Sequence, residues 1–119
     1  MRTLATQVKL RRLIRAYGEA RMRLASEPLE RRAVGSVVER LLELAADVQG
    51  AWLREAGSVD PILGRFVAES LRTVELAIVG LGQAGADLEL LLEDFETAAL
   101  PLEVFLRGLD AEPALQRSA

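Results

Sequence analysis

The run Gly80-Leu81-Gly82-Gln83-Ala84-Gly85 has the Gly-x-Gly-x-x-Gly spacing with which a strand-to-helix turn lets backbone amides approach a pyrophosphate. Leu76, Ala77, Ile78 and Val79 could form the strand before it, and residues 86–99 the helix whose N-terminus faces the phosphates. Residues 102–109 could then be a second strand and Asp110 the carboxylate that holds a ribose. A second candidate is acidic: Glu89 and Glu93, one helical turn apart beside Asp94 and Glu96, could offer carboxylates to magnesium or calcium. A third is basic. Lys9, Arg11, Arg12, Arg15 and Arg23 crowd the start of the chain, and arginine's planar fork of donors suits the phosphates of RNA, DNA or an anionic membrane surface.

Each candidate competes with a plainer reading. A doubly wound sheet needs several parallel strands covered on both faces, yet only nine residues follow Asp110. Residues 76–79 also continue a helical phase that starts at Ile62, and residues 102–109 continue one that starts at Leu88. A glycine-rich turn between two helices accounts for the motif, so no cofactor is expected. The acidic run reads as the solvated side of an amphipathic helix without histidine partners, so no metal is expected either. Around the basic stripe there is no aromatic interleaving: Tyr17 falls on the apolar face, and the whole chain carries a net charge of -3.

The chemistry is further bounded by what is missing. With no His, Cys or Asn there can be no Ser-His-Asp or Cys-His nucleophile, no ordinary zinc site and no disulfide. No apolar run is long enough to span a bilayer, and the cytoplasm is the expected compartment. Charge is distributed unevenly: residues 1–25 carry +6, residues 26–50 carry -2 and residues 51–119 carry -7. A basic first helix packed beside an acidic later one is the simplest explanation, and a basic surface for an anionic partner is the other.

The elements that must position these residues are helical. Leu10, Leu13, Ile14, Tyr17, Ala20 and Leu24 recur at helical spacing, with Met1, Leu4 and Val8 off that face. Ser26 and Pro28 read as a second helix start, with Leu41, Ala45, Val48 and Trp52 on its apolar face, Gly57 as a stop, and a bend or close helix contact at Gly35 or Gly50. Asp60-Pro61 repeats the start signal for a third helix through Leu81, whose stripe includes Ile62 and Phe66. A fourth runs from Leu88 to Leu109, where Pro101 predicts a kink or break. Residues 1–110 should therefore form one all-α, antiparallel up-and-down bundle of about four helices, with residues 111–119 a disordered tail. Leu53, Val79, Leu90 and Val104 lie off the apolar stripes and leave apolar surface to spare.

From about Val37 to Glu112 the pattern resembles the XpaC-like bacterial family, labelled for hydrolysis of bromochloroindolyl phosphate. The likeness rests on a long helix ending near Leu53, a helix opening around Ile62 to Phe66 with Leu71 and Val74 following, a short loop, and an acidic helix containing Asp94-Phe95-Glu96. It implies a helical fold and transfers no catalytic residue, since no motif of defined chemical role matches. Three functional readings follow. The first is a non-catalytic interaction or assembly module that associates with itself or another protein. The second is a small nucleic-acid-associated subunit using the Arg11 to Arg23 face, and the third a nucleotide-binding or phosphatase-like enzyme.

Overall fold

The computed structural model describes residues 4–26, 31–83 and 87–111. They form four α-helices: α1, Ala5–Ser26; α2, Arg31–Glu55; α3, Pro61–Leu81; and α4, Leu88–Ala111. A 3-10 turn, Ala56–Ser58, follows α2 within reach of the expected stop at Gly57, and no strand occurs among the described residues. Each helix is antiparallel to the two it packs against. The first turns of α1 meet the last turns of α2 and α4, where Thr6 bonds Glu55 and Arg11 bonds Glu103. The first turns of α3 likewise meet the ends of α2 and α4, placing Gly64 beside Trp52 and Phe66 beside Phe105. α1 packs chiefly on α2 and α3 on α4, with α2–α3 and α1–α4 seams closing the ring into a rod of 49 × 22 × 20 Å.

The core fills the centre of that ring from all four helices. Leu10 and Leu13 of α1, Leu41 and Val48 of α2, Val67, Val74 and Ile78 of α3, and Phe95, Leu102 and Leu106 of α4 are almost wholly inaccessible. Their spacing puts them on one side of each helix, and withdrawing each from water contributes up to roughly 1.5–3 kcal/mol. Ile62 and Phe66 share the helical period but not the burial: Ile62 is 80% exposed, so the apolar stripe of α3 is wider than the face its neighbours cover.

Local chemistry starts two of the helices. The Asp60 carboxylate accepts from the Ile62 amide at 2.8 Å, and Pro61 follows in the first turn, where no amide donor is needed. Asp87 does the same for α4, accepting from the Leu90 amide at 3.1 Å. α1 has no such local cap; the Glu55 carboxylate, from the far end of α2, accepts the Ala5 and Thr6 amides at 2.8 Å each and the Thr6 hydroxyl at 2.6 Å. A negative charge on two orphan amides also complements the helix dipole. As a result α1 begins at Ala5, with Leu4, Thr6 and Gln7 buried, earlier than its apolar period suggests.

Other sequence expectations meet the structure unevenly. α2 runs through Gly35 and Gly50 without a break, and neither marks a close helix contact: a side chain at Gly35 would meet nothing within 4 Å, and one at Gly50 only Arg54 of the same helix. Pro101 lies inside a continuous α4, not at a break. Pro101 and Thr97, whose carbonyl loses its amide partner, are both exposed, so water can bond the freed oxygen. Ser26 is the last residue of α1, and the rest of the expected Ser26-Pro28 helix start lies outside the described residues. Ala111 ends α4, and residues 112–119 of the expected tail also fall outside them.

Candidate functional site

The glycine motif sits at the end of α3, with no strand before it. Residues 76–79 are helical, and so are residues 102–109. Gly82 ends the helix with φ -86°, an ordinary right-handed conformation open to any residue, and its nearest neighbour is the Val38 side chain. Gly80 has a different reason to be glycine: a Cβ there would lie 2.7 Å from Cδ2 of Leu91, so α3 and α4 approach each other closely at that level. Gly85 lies outside the described residues. Asp110 is in the last turns of α4, on the third helical turn after Pro101 and remote in sequence from the Gly80 corner. No phosphate cradle is built between strand and helix here.

The basic candidates separate into two groups. Arg11 directs its Nε to Glu103 at 3.1 Å, and Arg21, outside the expected set, pairs with Glu96; both bonds cross from α1 to α4. Part of the basic start therefore does pack on the acidic end. Arg12 and Arg15 are exposed on the outer side of α1 and make no ion pair among the described residues, Arg23 is exposed nearby, and Lys9 is half-buried. The acidic group also divides: Glu96 faces Arg21, while Glu89, Glu93 and Asp94 are exposed. No group of three or more potential metal-ligating carboxylates comes together among the described residues.

The strongest polar cluster is one the sequence did not announce. Glu103 is only 7% exposed, and its carboxylate accepts from Arg11 Nε at 3.1 Å, Arg107 Nε at 3.3 Å and Nη2 at 2.5 Å, and Gln7 Nε2 at 3.4 Å. Burial alone pushes this carboxyl up. The hydrogen bonds from Arg107, Arg11 and Gln7, with the charge of Arg107, outweigh it and hold the group below its ordinary value. Spacing carried a faint signal: Glu96 and Glu103 are two turns apart along one edge of the α4 stripe, as Gln7, Arg11 and Arg21 follow one edge of α1.

Farther along the same seam the Tyr17 ring stacks on Phe95, with centroids 3.9 Å apart and planes inclined by 14°. Its hydroxyl donates to the Leu92 carbonyl at 2.6 Å. Burial, followed by the nearby charge of Glu96, pushes the phenol up to about 12, with Arg21 acting in the opposite direction. Tyr17 thus keeps its proton, and uses it to tie α1 to α4.

On the opposite side, an open groove of about 380 Å³ runs between α3 and α4. Glu69 and Asp94 line it with Ser70, Thr73 and Thr97, and Phe66 closes one end. The Thr73 hydroxyl donates to the Glu69 carbonyl at 3.1 Å, one turn back along its own helix. Among the described residues no buried side-chain nitrogen or oxygen lacks a partner. The polar groups thus fall into a satisfied seam between α1 and α4 and an open acidic groove between α3 and α4. The seam can hold helices in register, and the groove can receive a cation or a basic side chain. Comparison of the chain with protein-family models, with curated proteins and with solved structures finds no match in any of the three.

Proposed function

We propose that this chain is a non-catalytic helical assembly module that associates with further copies of itself through the outer surfaces of its bundle. The observation that carries this reading is the exposure of large apolar side chains on α3 and α4: Ile62, Phe66, Leu76, Leu90, Leu100 and Val104 all face solvent. Exposed apolar side chains recurring along two adjacent helices support a protein-binding surface better than isolated exposed leucines would. The interior supports it too, since the buried Glu103 and Tyr17 contacts are consumed in holding helices together.

Measuring solution mass by light scattering over a wide concentration range tests the proposal. A mass that rises above that of one chain is expected, and a single-chain mass throughout would overturn it. The second reading, a nucleic-acid subunit, draws on the exposed Arg12 and Arg15, though Arg11 already bonds Glu103. It predicts binding to RNA or DNA that weakens steeply with salt. Absence of binding at low salt removes it.

A further inference from the structure

We infer that Asp60-Pro61, at the corner between α2 and α3, is a lock that keeps the two helical hairpins of one chain folded on each other, and that a chain without it exchanges hairpins with a second copy. This goes beyond the outer-surface association proposed above and does not depend on it. From Arg31 to Leu81 only Val59 and Asp60 fall outside helical turns. Glu55 is right-handed, and the 3-10 turn Ala56–Ser58 closes with the Val59 amide donating to the Ala56 carbonyl at 3.2 Å. Val59, at φ -118° and ψ 147°, and Asp60, at φ -50° and ψ 135°, then reverse the chain. Helical angles at those two residues would fuse α2 and α3 into one rod of roughly 75 Å at 1.5 Å per residue. Val59, buried in the closed corner, shares the helical period of Val48 and Trp52, so the fused helix would keep it on the same apolar side.

Straightening the corner gives up no packing inside either hairpin. α1 stays on α2, with Glu55 still holding the Ala5 and Thr6 amides, and α3 stays on α4, with Gly80 against Leu91. The contacts between hairpins, Arg11 with Glu103, Tyr17 with Phe95 and Trp52 with Gly64, re-form between copies when two opened chains exchange. The choice between a one-chain bundle and an exchanged pair is therefore made at the corner, where three features oppose straightening. Pro61 has no amide to donate to the Gly57 carbonyl, and its ring would press on that oxygen. Asp60, as the residue before a proline, is biased toward the extended ψ it adopts. Its carboxylate also accepts from the Ile62 amide at 2.8 Å, a donor left open only at a helix start. Pro61 is exposed, and a side chain at Gly57 would meet nothing within 4 Å, so both positions can be changed without disturbing the core.

Exchange differs from outer-surface association in requiring the chain to open first. Tagged and untagged copies are either mixed in the native state or unfolded together in denaturant and refolded at high concentration, then diluted and captured on the tag. For Gly57→Ala/Asp60→Ala/Pro61→Ala, capture of the untagged chain should be about tenfold or more greater after joint refolding than after native mixing. The expectation follows because removing a helix-interior proline alone favours the straight form on the order of a hundredfold per corner. Wild type should give equal capture by the two routes. Equal capture for the variant, or a wild type that exchanges as much as the variant, would overturn the lock. Outer-surface association raises capture by both routes alike, so that reading stands or falls separately. Circular dichroism establishes that the variant folds. Should it fail to refold, Pro61→Ala, which keeps the Asp60 cap, decides by the same comparison: greater capture after joint refolding is expected, and equal capture overturns the lock.

Discussion

At Tyr17 a stacked ring, a buried hydroxyl and a neighbouring carboxylate act on one side chain, with a measurable consequence. Tyr17 is the chain's lone tyrosine, so a tyrosinate absorbance titration reports it alone and should give a midpoint near 12 instead of 10. Because the folded-state value is raised, the unfolded chain loses its proton first. Stability from this group is complete below pH 10 and lost as pH rises toward 12. Glu103 behaves oppositely. Its value is lowered, so its contribution is present above the ordinary 4.5 and declines as pH falls below that. Glu103→Gln should destabilise the fold by about 1–2 kcal/mol at neutral pH, because charge-assisted hydrogen bonds are replaced by weaker ones while both arginines can rehydrate. Denaturant melts at several pH values check this, and the gap between wild type and variant should shrink in acid. Neither residue's role was legible in the chain. A glutamate beside an apolar stripe looks the same whether its edge faces water or a neighbouring helix, and only tertiary packing decides.

Among the elements, legibility followed locality. α3 was readable almost to the residue because Asp60-Pro61 encodes its start in adjacent positions, and the stripes of α2 and α4 were readable because burial follows helical period. The start of α1 has no such local code, since its cap, Glu55, is supplied from the end of a different helix. Glu55→Ala should therefore cost about 1 kcal/mol and expose the Ala5 and Thr6 amides to faster hydrogen exchange. Glycine meanings were also non-local. Gly35, with nothing near its missing side chain, should tolerate alanine with a gain of about 0.5–1 kcal/mol from helix propensity. At Gly80 a branched side chain would press into Leu91, and Gly80→Val should lose about 1–3 kcal/mol. Thermal or denaturant unfolding of the two variants would separate a glycine kept for close helix contact from one without a packing role.

For the whole molecule, the all-α bundle was legible because four apolar stripes joined by short links leave few other ways to bury them. Which parts of those stripes remain outside was not, as Ile62 shows, since that depends on how far neighbouring helices extend over them. The exposed Arg21–Glu96 and Arg40–Glu43 pairs decorate a core that does most of the stabilising. Raising ionic strength to about 1 M should then lower unfolding free energy by less than about 1 kcal/mol, since exposed ion pairs are individually weak; a larger loss in a denaturant titration would assign the seams a greater electrostatic share.

The placement of the two rarest side chains has a practical corollary. The lone indole, Trp52, is buried where α2 meets α3 beside Gly64, whereas the lone phenol is buried where α1 meets α4. Each junction between the two helical hairpins thus contains its own optical reporter. Emission from one and ultraviolet absorbance from the other will coincide during denaturation if the rod opens cooperatively, and will part company if one junction unzips before its counterpart.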